Sequence, residues 1–112
     1  FSAQRTIVAG VTFDSKKEAH RYMELQLLER GGAITNLRLQ PSIRLTAGGR
    51  PVRYLTKEGA AGRQAVYRAD FSYTDTRTGE TIFEDVKGMD TPASKLKRAI
   101  VLAETGIDVK LI

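Results

Sequence analysis

Cysteine is absent from the 112-residue chain, which excludes disulfides and thiolate metal sites and points to a reducing, cytoplasmic setting. Histidine occurs once, as His20, too sparsely for a histidine-rich zinc centre or a Ser-His nucleophile. Tryptophan is also missing, and no apolar run approaches the roughly 18 residues that a membrane-crossing helix needs. No signal-peptide pattern is read at the start, and a chain opening on Phe1 rather than Met is expected to be processed or part of a longer protein. Acidic residues are the minority charge: 13 Asp and Glu against 18 Lys and Arg give a net charge of +5. An excess of that sign favours a polyanionic partner, with nucleic acid the first candidate. At this length one hydrophobic core is expected, and hence one domain over residues 1–112.

Hydrophobic patterning sets out the elements. Two short apolar runs separated by Gly10, Thr6–Val8 and Val11–Phe13, predict an edge hairpin within residues 5–13. A helix opens over residues 14–18, where Ser15 is the N-cap and Glu18 follows in capping-box spacing. It is expected to run to about Arg30 and to end at Gly31 in the C′ position. Ala19, Tyr22, Met23, Leu25, Leu27 and Leu28 cover much of its circumference, which predicts packing on more than one side. From Ala33 the apolar period becomes alternating through Ile34, Leu37, Leu39, Ile43 and Leu45, so a strand follows, bent or bulged near Pro41. Gly48-Gly49 marks a turn, residues 51–55 a second short strand, and residues 56–64 a flexible surface loop. Farther on, Thr91 is an N-cap followed by Pro92, and the helix they open is expected to reach about Thr105. Its buried stripe is expected to be Leu96, Ala99, Ile100 and Ala103. Gly106 closes it, and residues 107–112 alternate as a last strand.

The stretch over residues 67–88 carries the chemistry. Two strand-like runs, 67–73 and 81–87, flank Thr76-Arg77-Thr78-Gly79, a connection of hairpin length. With the loop centred between Arg77 and Thr78, Asp70 falls opposite Asp85 on one face, and Lys87 joins them there. Opposed carboxylates repel by roughly 0.2–1 kcal/mol, and a divalent cation would compensate them. Hard oxygen ligands of this kind suit Mg²⁺ or Mn²⁺. Glu84 alternates to the other face, beside Ile82 and Val86, and ranks below Asp85 as a ligand.

The order is helix, three or more mainly antiparallel strands, helix, strand: an α/β layout with a mixed sheet flanked by two helices. In that order, Asp70 and then Asp85-Val86-Lys87 resemble the D and (D/E)xK elements of the PD-(D/E)XK nuclease superfamily. Its restriction-endonuclease-like core runs αβββαβ, and Glu18 is similar to the extra glutamate on the first helix of many members. More narrowly, Gly10-Val11-Thr12-Phe13-Asp14-Ser15-Lys16-Lys17-Glu18-Ala19, Leu37-Arg38-Leu39-Gln40-Pro41, Ala69-Asp70-Phe71 and Glu84-Asp85-Val86-Lys87-Gly88 resemble a family of small phage-encoded proteins. That family is similar to Holliday-junction resolvases. Ala69 stands where the superfamily's usual proline precedes the aspartate.

The resemblance implies metal-dependent hydrolysis of DNA phosphodiesters by a phage or prophage protein in the bacterial cytoplasm. Asp70 and Asp85 would hold Mg²⁺ (or Mn²⁺), with the Val86 carbonyl and Glu18 as further ligands; one or two ions are both open. Lys87 would orient or deprotonate the attacking water, or stabilise the transition state. Branched DNA is the expected substrate, four-way junctions first, and paired symmetric cuts call for a homodimer. Lys95, Lys97 and Arg98 occupy the first two turns of the second helix, where positive charge is mildly unfavourable unless a phosphate meets it. Lys16, Lys17 and Arg21 flank Glu18 in the same way, so all six are expected nucleic-acid contacts. Nothing resembles a base-reading helix or an aromatic ladder, which favours recognition through backbone and shape. Other readings are a nuclease that nicks or trims simpler DNA, a DNA-binding module that does not cut, and a basic RNA-associated protein. Glu18 also has a purely structural reading as half of a capping box.

Overall fold

A computed structural model describes residues 5–86 and 90–112, so Lys87 and Gly88 lie outside the described residues. Strands β1 (Thr6–Val8) and β2 (Val11–Phe13) pair antiparallel around a turn in which Ala9 and Gly10 take positive φ. Helix α1 (Lys16–Arg30) starts as its cap dictates, the Ser15 hydroxyl accepting from the Glu18 N–H at 3.1 Å. Its exit is one residue later than expected, because Gly31 stays right-handed and Gly32 makes the left-handed turn at φ +81°. Only one side of α1 packs, through Ala19 and Leu25, while Met23, Leu27 and Leu28 remain exposed. The expected packing on several sides is not found among the described residues: α1 lays this one side on β1, β2, the next strand and the central hairpin, where Tyr22 meets Phe71 and Arg21 meets Glu84.

Pro41 splits the following strand, since it has no N–H to give a ladder. β3 (Ile34–Leu39) precedes it and β4 (Ser42–Arg44) follows. Next, β5 (Thr46–Ala47) and β6 (Arg50–Pro51) pair across Gly48-Gly49, both at positive φ as a tight hairpin turn needs. β7 (Arg53–Leu55) and β8 (Ala61–Gln64) form a second hairpin, so the expected flexible loop at 56–64 is partly a paired strand. Gly62 permits this, because a Cβ there would lie 2.8 Å from the Tyr54 carbonyl oxygen. β9 (Val66–Arg68) then returns to β4. Where the three runs meet, the Leu45 N–H donates to Ala65, Val52 to Leu45 and Ala65 to Val52, at 2.9, 3.0 and 2.7 Å. This ring of bonds satisfies backbone groups at a point where Leu45 and Ala65 are buried. Beyond it the β7–β8 arm projects: the radius of gyration is 15.9 Å, against about 13 Å for a compact chain of about 100 residues.

β10 (Phe71–Asp75) and β11 (Thr81–Asp85) form a hairpin with Phe71 opposite Glu84 and Ser72 opposite Phe83, the expected register. The predicted strand 67–73 is not continuous. It breaks at Ala69-Asp70, where the chain passes from β9 in one sheet to β10 in another. Helix α2 (Pro92–Thr105), capped by Thr91 and ended by Gly106 at φ +77°, leads to β12 (Lys110–Leu111), parallel to β11. The result is a mixed α/β fold whose four-stranded sheet has the order β12-β11-β10-β3. Phe13, Leu25, Phe71 and Tyr73 form a core with α1, and Leu45, Tyr67, Val101 and Val109 form another with α2. Among the described residues no helix is long and apolar enough to cross a membrane.

The packed side of α2 differs from the expected Leu96, Ala99, Ile100 and Ala103 stripe. Val101 is buried and Ile100 half-buried, whereas Leu96 is 63% exposed. Polar anchors at both ends set the helix rotation. Arg98 donates to both carboxylate oxygens of Asp90 at 2.9 and 2.6 Å. Glu104 accepts from the Gly49 and Gly48 N–H groups at 2.6 and 3.0 Å and from the Thr46 hydroxyl at 2.9 Å. Those donors, Gly49 first, hold the Glu104 carboxyl below its ordinary range.

Glu84 is fully buried on the α1 side of the sheet, as alternation requires. Arg21 grips it with two bonds, from Nε at 2.8 Å and Nη2 at 2.6 Å, and the Tyr73 hydroxyl donates to it as well. Burial and then Glu84 push the Tyr73 hydroxyl up to about 12. Arg21→Ala would leave a carboxylate buried without its cation, and a loss of roughly 3–5 kcal/mol is expected in denaturant unfolding. A loss below about 1 kcal/mol, the range of exposed pairs, would contradict this anchoring.

Candidate functional site

Glu18 and Arg21 stand one turn apart on the same side of α1. With Arg21 fastened to Glu84, Glu18 is delivered to Asp70, the residue just before β10, and the two carboxyls line one small cavity close enough to act on each other. Burial, then Asp70, raise the Glu18 carboxyl to about 8. Asp70 itself is fixed from both flanking strands. Its Oδ2 accepts the Val86 N–H at 2.7 Å. Its own N–H donates to the Glu84 carbonyl at 3.0 Å, and its carbonyl accepts from Gln40 at 2.9 Å. A small cavity of about 200 Å³ opens over the pair, with Thr12, Phe13, Leu39 and Gln40 on its other walls.

Asp85 is buried on the adjacent strand with its carboxylate bonded by the Tyr67 hydroxyl. The Arg98 guanidinium, raised above its ordinary value chiefly by Asp90, also feels Asp85. The expected common face for Asp70 and Asp85 is therefore not what the structure shows. Their backbones keep the predicted register, but Asp70 precedes β10 and escapes its alternation, turning to Glu18 and Val86 while Asp85 turns to Tyr67. Among the described residues no three acids or histidines converge as a ready metal cage. The Glu18–Asp70 pair nonetheless fits Mg²⁺, which takes one or two carboxylates and completes its shell with water and substrate oxygens. Lys87, expected beside Asp85, lies outside the described residues.

The expected phosphate contacts divide. The guanidinium groups of Arg21 and Arg98 are engaged by Glu84 and Asp90. Lys16, Lys17 and Lys95 are exposed, and Lys97 is half-buried with its Nζ 5.8 Å from the centre of the Tyr54 ring. His20 is exposed, as expected of a surface residue. Sequence reasoning missed the Arg21–Glu84–Tyr73 cluster and the Tyr67–Asp85 bond. A signal for the first was present, since an acid placed by alternation on an apolar face must find a cation or a proton.

Glu18 binds its proton more tightly in the folded chain than an ordinary glutamate carboxyl, which titrates at about 4.5. Its contribution to metal-free stability is therefore complete below about pH 4.5 and lost as the pH rises through about 8. Glu18→Gln cannot ionise and is expected to flatten that part of the decline in thermal midpoint between about pH 5 and about pH 9. An equal decline in wild type and variant would mean that burial and Asp70 do not raise the Glu18 carboxyl.

No curated protein and no solved structure gives a significant match to this chain. The model of the family described as "Protein of unknown function (DUF1064)" matches residues 1–111. With nearly its whole length covered, the chain belongs to the DUF1064 family.

Proposed function

We propose that the protein is a Mg²⁺- or Mn²⁺-dependent endodeoxyribonuclease with a PD-(D/E)XK-type core, acting on branched DNA in the bacterial cytoplasm. The observation that carries this reading is the Glu18–Asp70 carboxyl pair, locked to the Val86 N–H at the end of a sheet, with Asp85 on the next strand. A phosphodiester is anionic and repels an incoming hydroxide, so the site that cuts it must concentrate positive charge. Bound to Glu18 and Asp70, the divalent ion would neutralise charge developing on the phosphate and acidify a bound water. The chain's own part is placement. The Val86 N–H prevents Asp70 from swinging away, Arg21 holds α1 so that Glu18 stays opposite it, and Tyr67 holds Asp85. Lys87, two residues beyond Asp85, would orient or deprotonate the attacking water. Four-way junctions are the favoured substrate, cut in pairs by a homodimer.

A second reading is a DNA-binding module that does not cut. The engagement of the Asp85 carboxylate by Tyr67 and the lack of a third converging acid among the described residues favour it. Incubation of labelled four-way junction, fork, duplex and single strand with Mg²⁺, Mn²⁺ or EDTA separates the two. Paired, metal-dependent cuts in the junction are expected, with Asp70→Asn lowering the rate at least about 100-fold while junction affinity stays within a few-fold. Junction binding by the wild type without cutting in either metal would leave the module.

A further inference from the structure

Between the β7–β8 arm and the start of α2 lies a cleft of about 520 Å³, separate from the cavity over Glu18 and Asp70. Arg63 on the arm, Arg68 on β9 and Lys97 on α2 line it, and among the described residues no acidic one does. Thr91, Ala93 and Ser94 bring the N-terminus of α2 into the same wall. That helix has no acid in its first turn, so the positive end of its macrodipole adds to the three cations. Among the described residues no ion pair engages Arg63, Arg68 or Lys97. Instead the Tyr54 ring gathers two of them from different elements, with the Arg63 guanidinium at 5.4 Å from its centre and the Lys97 ammonium at 5.8 Å. A ring draws cations together without neutralising them. The cleft thus holds three cations that no carboxylate among the described residues pairs.

We propose that this cleft binds a phosphate of the nucleic-acid strand, one or more nucleotides from the bond that is cut. The inference rests on the proposed function in taking the phosphate to belong to DNA. Guanidinium forks, an ammonium and the N–H of Ala93, which has no acceptor within the helix, are the donor set that a tetrahedral oxyanion accepts from. The volume suits a unit of nucleotide size. Continuity with the carboxylates comes through Tyr67, which lines the cleft and bonds Asp85 with its hydroxyl. A strand seated there would lie one tyrosine side chain away from Asp85. Tyr54 is a positioning residue that sets where the two cations stand.

Fluorescence anisotropy of labelled four-way junction and single strand in EDTA, over a series of salt concentrations, tests the cleft apart from any cleavage. Arg63→Ala with Lys97→Ala is expected to weaken binding about ten-fold or more and to lower the salt slope by about one to two. Tyr54→Phe, which keeps the ring, should bind as the wild type does, and Tyr54→Ala several-fold less tightly. Arg77→Ala, removing one charge from the β10–β11 turn, should change little. Should the double variant fail to fold, Lys97→Gln alone carries the test, with a several-fold loss expected. Unchanged affinity in the cleft variants, or an equal loss with Arg77→Ala, would overturn the proposal. So would displacement of Arg63 and Ala93 NMR signals by inorganic phosphate but not by oligonucleotide, which would mark a free-phosphate site. A protein that cuts junctions yet binds them equally after the double substitution refutes the cleft and keeps the nuclease. One that never cuts yet needs Arg63 and Lys97 to bind does the reverse.

Discussion

The buried ion pair between Arg21 and Glu84 is the constraint on which the rest of the molecule depends. A carboxylate with no exposure to water costs several kcal/mol unless it is paired and hydrogen-bonded, and Glu84 has two bonds from Arg21 and one from Tyr73. Satisfying it fixes the rotation of α1 on the sheet. Leu25, one helical turn beyond Arg21, then enters the core, and Glu18, one turn before it, arrives at Asp70. One structural acid thus positions two others whose mutual repulsion is unrelieved without a proton or a metal.

The second constraint is the break in the strands beside that pair. Pro41 on one run and the Ala69-Asp70 step on the other divide a long ribbon into a sheet segment and an arm segment. The backbone is still bonded across the break, Ala69 donating to Pro41 and Gln40 to Asp70 at 3.0 and 2.9 Å. The carboxylate of Asp70 is left free of strand alternation and swings to the α1 side, while Asp85, inside its strand, keeps to the α2 side with Tyr67. Acids therefore collect at one end of the sheet, and the arm carries Arg63 and Tyr54 toward Lys97 nearby.

Local features were legible in the sequence because local chemistry decides them. Ser15 and Thr91 cap the helices, Gly48-Gly49 turns, Pro41 interrupts, and the loop at 76–79 fixes the β10–β11 register. What stayed hidden depends on partners far away in the chain. The stripe that spacing favours on α2 is the more apolar one, but bonds from Arg98 to Asp90 and from the Gly48-Gly49 turn to Glu104 rotate the helix and leave Leu96 outside. The arm strand at 61–64 has Ala, Gly, Arg and Gln, with little strand preference, and forms because Gly62 admits Tyr54. Of the candidate site, the approach of Glu18 to Asp70 was expected, whereas the divergence of Asp85 depends on a strand break that alternation cannot foresee.

Calorimetric titration of Mn²⁺ into the metal-free protein addresses the central claim, that Glu18 and Asp70 together form a divalent-cation site, without requiring a substrate. Saturable binding in the wild type that disappears in both Glu18→Gln and Asp70→Asn is the predicted result. Binding retained in both variants, or absent from the wild type, would contradict it.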